Sequence, residues 1–178
     1  MCGMLRQNKP GSEVMRFLKV LMVLGIGVLL AGCSGKFQPY FGPEVTRVVV
    51  DKGARKMYLL HHGEVLESYN VGLGFAPEGH KGEEGDGRTP EGEYIIDRRN
   101  PNSEFYLSIG INYPNEADIA RAREAGVDPG GDIFIHGRPW KNRKGGRDWT
   151  AGCIAVTNAE IRQVYSMVKN GTPISIRP

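Results

Sequence analysis

The 178-residue chain is short of the residues that build disulfide frameworks and metal centres. Its three cysteines, Cys2, Cys33 and Cys153, are odd in number and far apart, which excludes a disulfide framework and any CxxC-type zinc site. Its four histidines, His61, His62, His80 and His136, lack HExxH spacing, which argues against that class of metal hydrolase. No internal repeat is present, so repeat architectures are set aside. What the chain has in excess is glycine, 25 residues, about twice the usual share of roughly 7%. That favours strands and turns over a helical bundle. With 40% hydrophobic and 24% charged residues the composition is ordinary globular, and the length suits one domain.

The formal charge of +3 is unevenly placed. Of 23 basic and 20 acidic residues, four basic (Arg6, Lys9, Arg16, Lys19) and one acidic (Glu13) lie in residues 1–32, leaving 19 of each in 33–178. The net positive charge therefore belongs to the N-terminal segment, and a nucleic-acid partner has no compositional support. That segment reads as a leader. Met15-Arg16-Phe17-Leu18-Lys19 is followed by an almost wholly apolar run from Val20 to Leu30 and then Ala31-Gly32-Cys33. A basic start, an apolar stretch and a small-residue boundary form a secretory signal pattern. The run is shorter than the roughly 20 residues that span a bilayer. Leu30-Ala31-Gly32-Cys33 also resembles the bacterial lipobox, which implies that Cys33 is lipidated and becomes the mature N-terminus. Residues 1–14 are unpatterned and fit a start site mis-assigned upstream of Met15, so residues 15–32 are the expected signal peptide. The expected location is the periplasmic face of a bacterial membrane, lipid-anchored. Ser34, in place of the aspartate associated with inner-membrane retention, favours the outer membrane.

Residues 33–44 carry Gly35, Pro39, Gly42 and Pro43 and read as a tether; residues 45–178 form the expected domain. β-branched and aromatic runs predict strands at Val45–Asp51, Arg55–His61, Glu64–Leu73, Glu93–Asp97, Phe105–Ile111, Asp132–His136 and Pro173–Arg177. Gly74 to Gly92 is a long polar loop. Asn115 with Asp118 caps a short helix that Gly126 ends. Thr157-Asn158-Ala159-Glu160 is a capping box ahead of an Ile161, Val164, Tyr165, Val168 stripe. Asn158 is read as part of that helix start. The fold class is mainly β with two helices, one sandwich-like domain.

If Cys33 is acylated, Cys153 is left without a partner in an oxidising compartment. It follows Gly152, which allows close backbone approach, and Thr150 ends a loop. Upstream, His136 ends an apolar strand before Gly137. A nucleophilic cysteine needs a base, and histidine is the usual one.

Ile135-His136-Gly137 followed by Thr150-Ala151-Gly152-Cys153-Ile154 resembles the signature of YkuD-type L,D-transpeptidases, and Thr89-Pro90-Glu91-Gly92-Glu93-Tyr94 resembles that family's Thr-Pro-x-Gly-x-aromatic segment. The likeness covers about Val45 to Ile176. The loop from Gly79 to Arg88 and the Asp148–Cys153 segment look closest to the YafK-like branch. The resemblance implies Cys153 as nucleophile, His136 as general base, the Gly137 carbonyl orienting His136, and Gly152 N–H as an oxyanion donor. It implies peptidoglycan stem peptides as substrate, a thioester intermediate, and no cofactor or metal. Most members carry histidine where this chain has Ala151. The YafK-like branch shares the change and is associated with hydrolysing attachments to peptidoglycan. Three outcomes stay open: transfer to an amine, hydrolysis (for example release of wall-bound lipoprotein), and non-catalytic peptidoglycan binding.

Between His136 and Cys153 lie Arg138, Lys141, Arg143, Lys144 and Arg147, either a solvated basic loop or a rim for stem-peptide carboxylates. Trp140 and Trp149 either pack that loop or line the groove. Arg138, Trp149, Thr150 and Arg88 are the candidate substrate contacts, although Arg88 also has Glu83, Glu84 and Asp86 as potential partners. His61, His62 and His80 are assigned no role.

Overall fold

The computed structural model describes residues 35–139 and 146–178. The leader, Cys2, Cys33, Trp140, Lys141, Arg143 and Lys144 lie outside the described residues.

Eight strands follow in chain order: β1 (Arg47–Asp51), β2 (Lys56–His61), β3 (Glu64–Asn70), β4 (Gly92–Asn100), β5 (Ser108–Ile111), β6 (Phe134–His136), β7 (Ile154–Ala155) and β8 (Pro173–Arg177). Two helices, α1 (Glu116–Ala125) and α2 (Asn158–Met167), complete the described part. The sheet order is β3-β2-β1-β8-β4-β5-β6-β7. β1 runs parallel to β8 and β6 parallel to β7, and the other neighbours are antiparallel.

The β2–β3 hairpin turns on His62 (φ 48°) and Gly63 (φ 94°). Two consecutive positive φ values match the twist of the flanking strands. β4 joins the two halves of the sheet. Gly92–Ile95 pairs with β8, Ile96–Asn100 pairs with β5, and the register shifts between Ile96 and Arg98. An irregularity of this kind bends a strand and curls the sheet. The curl nearly closes: past β3, Gly72 and Ala155 exchange both backbone hydrogen bonds at 2.8 Å, and Gly74 bridges to Thr150. Leu59, Leu73, Ile96, Ile109, Ile135 and Ile174 are fully buried inside it, and Ile161 and Val164 of α2 join the same core.

Both helix caps form as the sequence predicts, with reciprocal Asn115–Asp118 and Thr157–Glu160 contacts and Gly126 left-handed after α1. Several expectations are corrected. β3 stops at Asn70, because residues 72–75 leave the hairpin to pair with 150–155. β5 starts at Ser108, so Phe105 lies in a turn. Asp132 is not in a strand and has φ 55°. The two-residue β7 carries too little pattern to be seen in sequence. The segment read as a tether is docked. Lys36 Nζ donates to the Pro101 carbonyl at 2.6 Å, and the Phe37 ring lies 6.0 Å from that of Tyr165.

Between Gly74 and Gly92 the chain forms no helix or strand but is tied down at several points. Buried Lys52 reaches the carbonyls of Gly79 and Thr89 and pairs with Glu91 at 2.6 Å. Lys81 pairs with Asp86 at 2.9 Å. Burial alone would raise the Asp86 pKa. The Arg88, Gly82 and Glu83 N–H groups and the Lys81 ammonium outweigh it and hold the carboxyl below its ordinary value. His80 also fastens this loop: Nδ1 accepts the Glu91 N–H at 3.0 Å, and Nε2 lies 3.3 Å from buried Asp118.

Candidate active site

β6 and β7 run side by side, Ile135 opposite Ile154 and His136 opposite Ala155. That pairing places Cys153, at the entrance to β7, beside β6. The Phe134 N–H points at Cys153 Sγ at 3.4 Å, and Sγ lies 3.5 Å from the Asp132 carbonyl. Cys153 and His136 line one cavity of about 360 Å³, together with Asn100, Ser103, Glu104, Phe105, Ser108, Asp132 and Phe134.

His136 is 2% exposed. Its Nδ1 lies 2.6 Å from the Gly137 carbonyl. A carbonyl only accepts, so Nδ1 carries the proton and Nε2 keeps a free lone pair. The ring is held between Phe105, with centroids 4.3 Å apart, and Trp149 at 5.7 Å. Burial pushes the imidazole pKa below its usual value, the Gly137 carbonyl opposes this, and the charge of Arg138 adds to it. Burial likewise pushes the Cys153 thiol up. The Phe134 N–H opposes that, the Asp132 charge reinforces it, and Lys81 and Arg98 pull the other way. Both shifts favour the uncharged forms, a thiol and a neutral imidazole facing one cavity.

Gly152 has φ 139°, and a Cβ there would lie 2.6 Å from the Arg88 carbonyl. Only glycine turns the chain into Cys153 without displacing that neighbour. The Gly152 N–H is already donated to Thr150 Oγ1 at 3.2 Å, contrary to the oxyanion expectation. Among the described residues the Cys153 N–H has no hydrogen-bond acceptor, which leaves it as the donor at the site. The Thr150 hydroxyl in turn donates to the Cys153 carbonyl at 2.7 Å. Thr150 is buried and shapes the turn rather than facing a substrate.

The other candidate contacts are also displaced. Trp149 packs on His136 and under the Arg138 guanidinium, 5.6 Å away, and neither residue lines the Cys153 cavity. Arg88 is exposed, and the acid nearest to it in sequence, Asp86, is paired with Lys81. Sequence reading passed over Phe105 and Asp132, which lie in the segments leading into β5 and β6, and Ser108, whose place in the cavity follows from its pairing with His136. Asn158, read as part of the helix start, is the first residue of α2, and its Oδ1 also accepts the Arg138 N–H at 2.7 Å while Thr157 caps the helix. Among the described residues no His, Cys, Asp and Glu cluster has the arrangement of a metal site.

Residues 45–176 match the family model of the YkuD L,D-transpeptidase catalytic domain. YafK of Escherichia coli strain K12 is 32% identical over 108 residues, 59% of this chain and 38% of YafK. Pgp2 of Campylobacter jejuni, described as a helical cell shape determining protein, superposes with TM-score 0.60 at 25% identity, covering 82% of this chain and 52% of Pgp2. Bd1075 of Bdellovibrio bacteriovorus gives 0.56 at 26% identity, covering 75% and 48%. An L,D-transpeptidase from Mycobacterium smegmatis shares the fold, with TM-score 0.51 at 18% identity, covering 75% of this chain and 59% of that protein. The chain spans well under half of YafK and about half of Pgp2 and Bd1075. Since the family match runs from Val45 to Ile176, from the approach to β1 into the last strand, the chain belongs to the YkuD family of L,D-transpeptidase catalytic domains.

Proposed function

We propose that the protein is a cysteine-dependent acyl-transfer enzyme acting on peptidoglycan stem peptides. The observation that carries this reading is that Cys153 and His136 share one cavity while the Gly137 carbonyl fixes the imidazole tautomer. His136 Nε2 takes the thiol proton as Cys153 Sγ attacks a stem-peptide carbonyl. The oxyanion develops against the Cys153 N–H; one such donor is typically worth about 3 kcal/mol. The amine leaves with the proton from His136, and a thioester remains. An incoming amine gives a new cross-link, and water gives hydrolysis.

Hydrolysis is the second reading, favoured by Ala151 at the position where most family members have histidine. Its substrates include wall-attached lipoprotein. The description of Pgp2 as a cell-shape determinant supports a wall substrate for either outcome. Lipidation of Cys33 would hold the domain at the periplasmic face of the membrane.

The test is incubation of the full chain, in detergent, with defined muropeptides and with wall carrying bound protein, followed by mass spectrometry. New cross-links support transfer, and released peptide or protein supports hydrolysis. Turnover that survives Cys153→Ala would overturn both. For the anchor, Cys33→Ala should move the protein from the membrane to the soluble fraction.

A further inference from the structure

Ser108 is 3% exposed, lines the cavity, and its hydroxyl has no hydrogen-bond partner among the described residues. The hydroxyl oxygen is not itself buried away from the cavity, so a cavity water can reach it. Ser108 is paired with His136 across β5 and β6. The Gly137 N–H donates to the Leu107 carbonyl at 3.2 Å, on the flank of that pair. This makes Ser108–His136 a non-hydrogen-bonded pair, the kind in which Cα atoms come within about 4.5 Å and side chains lie closest on one face.

The row continues outward. Asn100 pairs with Ser108 across β4 and β5 and lines the same cavity. Its Oδ1 accepts the Asn102 N–H at 2.9 Å, leaving the amide NH₂ to donate. Asn100, Ser108 and His136 therefore form a polar line across three strands, leading from an exposed edge to the buried base. A cavity water needs about two to four polar partners, and this line supplies them.

We propose that Ser108, assisted by Asn100, positions the water that resolves the Cys153 thioester, biasing the site toward hydrolysis. The inference rests on the acyl-enzyme proposed above. The water gives its proton to His136 Nε2 as its oxygen bonds to the thioester carbonyl carbon. The C–S bond breaks, the acyl group leaves as a carboxylic acid, and the thiolate recovers the proton from the imidazolium. No other reactant is consumed.

The test separates the two half-reactions. Full-length protein and its Ser108→Ala and Ser108→Thr variants are mixed with a tetrapeptide muropeptide, and the Cys153 adduct is followed by intact-protein mass spectrometry, with and without D-alanine as amine acceptor. Ser108→Ala should slow hydrolysis of the adduct about tenfold more than it slows adduct formation, the loss expected for one hydrogen bond to a reacting water. The ratio of aminolysis to hydrolysis should rise by the same factor, and Ser108→Thr should restore it. An unchanged ratio, or equal slowing of both half-reactions, would overturn the role of Ser108. If the unmodified protein forms neither adduct nor product, the acyl-enzyme reading fails, and this inference with it.

Discussion

The Asn158 side-chain oxygen accepts the Arg138 N–H at 2.7 Å, tying the first turn of α2 to the chain leaving His136. A Cβ on Gly137 would lie 2.5 Å from that same oxygen, so the two segments are in close contact at the residue whose carbonyl holds the imidazole. Asn158 is a positioning residue. Asn158→Ala removes the acceptor of a half-buried N–H, which costs about 1 kcal/mol. The helix keeps its Thr157 cap, so the loss should fall on the site. The expectation is a kcat reduced about tenfold, KM little changed, and recovery in Asn158→Asp, which keeps an acceptor oxygen. Equal losses in Asn158→Ala and Asn158→Asp would show that the acceptor is not what matters.

The contrast between Asn158 and Thr157 shows how far the sequence could be read. A capping box is a local pattern four residues long, so Thr157 and Glu160 were legible. The partner of Asn158 lies twenty residues upstream, and only the completed sheet brings it near. Cys153 and His136 stood out because their flanking glycines mark tight backbone, and the fold brings both to one cavity. The cavity walls at Phe105, Ser108 and Asp132 were not legible, because where strands begin and how they pair is set by long-range packing. Thr150 misled for a related reason: a hydroxyl beside a nucleophile looks like a substrate contact until its hydrogen bonds to Gly152 and Cys153 are known.

The protonation states at the site set a pH profile. His136 works only while Nε2 is unprotonated, and burial lowers its pKa from the usual value of about 6.5. Adduct formation should therefore be flat near neutrality and fall only as the pH drops through that lowered value. Burial raises the Cys153 pKa, so the free thiol is protonated at neutral pH. Alkylation by iodoacetamide should be slow at neutrality and accelerate only on the alkaline side. Fast alkylation at neutral pH that persists below the usual imidazole value would reveal a preformed thiolate–imidazolium pair instead.

Gly152→Ala probes the turn into the nucleophile. At φ 139°, and with a Cβ 2.6 Å from the Arg88 carbonyl, alanine forces one of the two segments to move. Backbone strain of this kind costs about 1–3 kcal/mol. Displacing a reacting group by about 1 Å can cost roughly 100-fold in rate. Activity should fall by that order, with a lowered Tm. Thr150→Val should show a similar pattern, because it removes the hydroxyl that bonds both Gly152 and Cys153, while Thr150→Ser preserves both contacts. Wild-type activity in Thr150→Val would mean that the hydroxyl is dispensable to the turn.

The long loop between Gly74 and Gly92 has the glycine content of a mobile lid, but its contacts argue that it is clamped. Lys52 is 2% exposed, and its ammonium meets the Gly79 and Thr89 carbonyls and the Glu91 carboxylate, joining the middle of the loop to its end. Thr89 Oγ1 accepts the Gly74 N–H at 3.1 Å and closes the loop at its base. Lys52→Met keeps much of the buried volume but strands a carboxylate and two carbonyls. Breaking a buried pair from one side costs about 3–5 kcal/mol; Glu91 is partly solvated, so the lower end is expected. Lys52→Met combined with Glu91→Gln should recover part of that loss, because no charge is then left unpaired. Urea unfolding measures both effects, and limited proteolysis reads the loop directly: the unmodified protein should resist cleavage between Gly79 and Arg88, and Lys52→Met should be cut there. Equally rapid cleavage of the two would show that Lys52 does not hold the loop and would return it to the class of mobile lids.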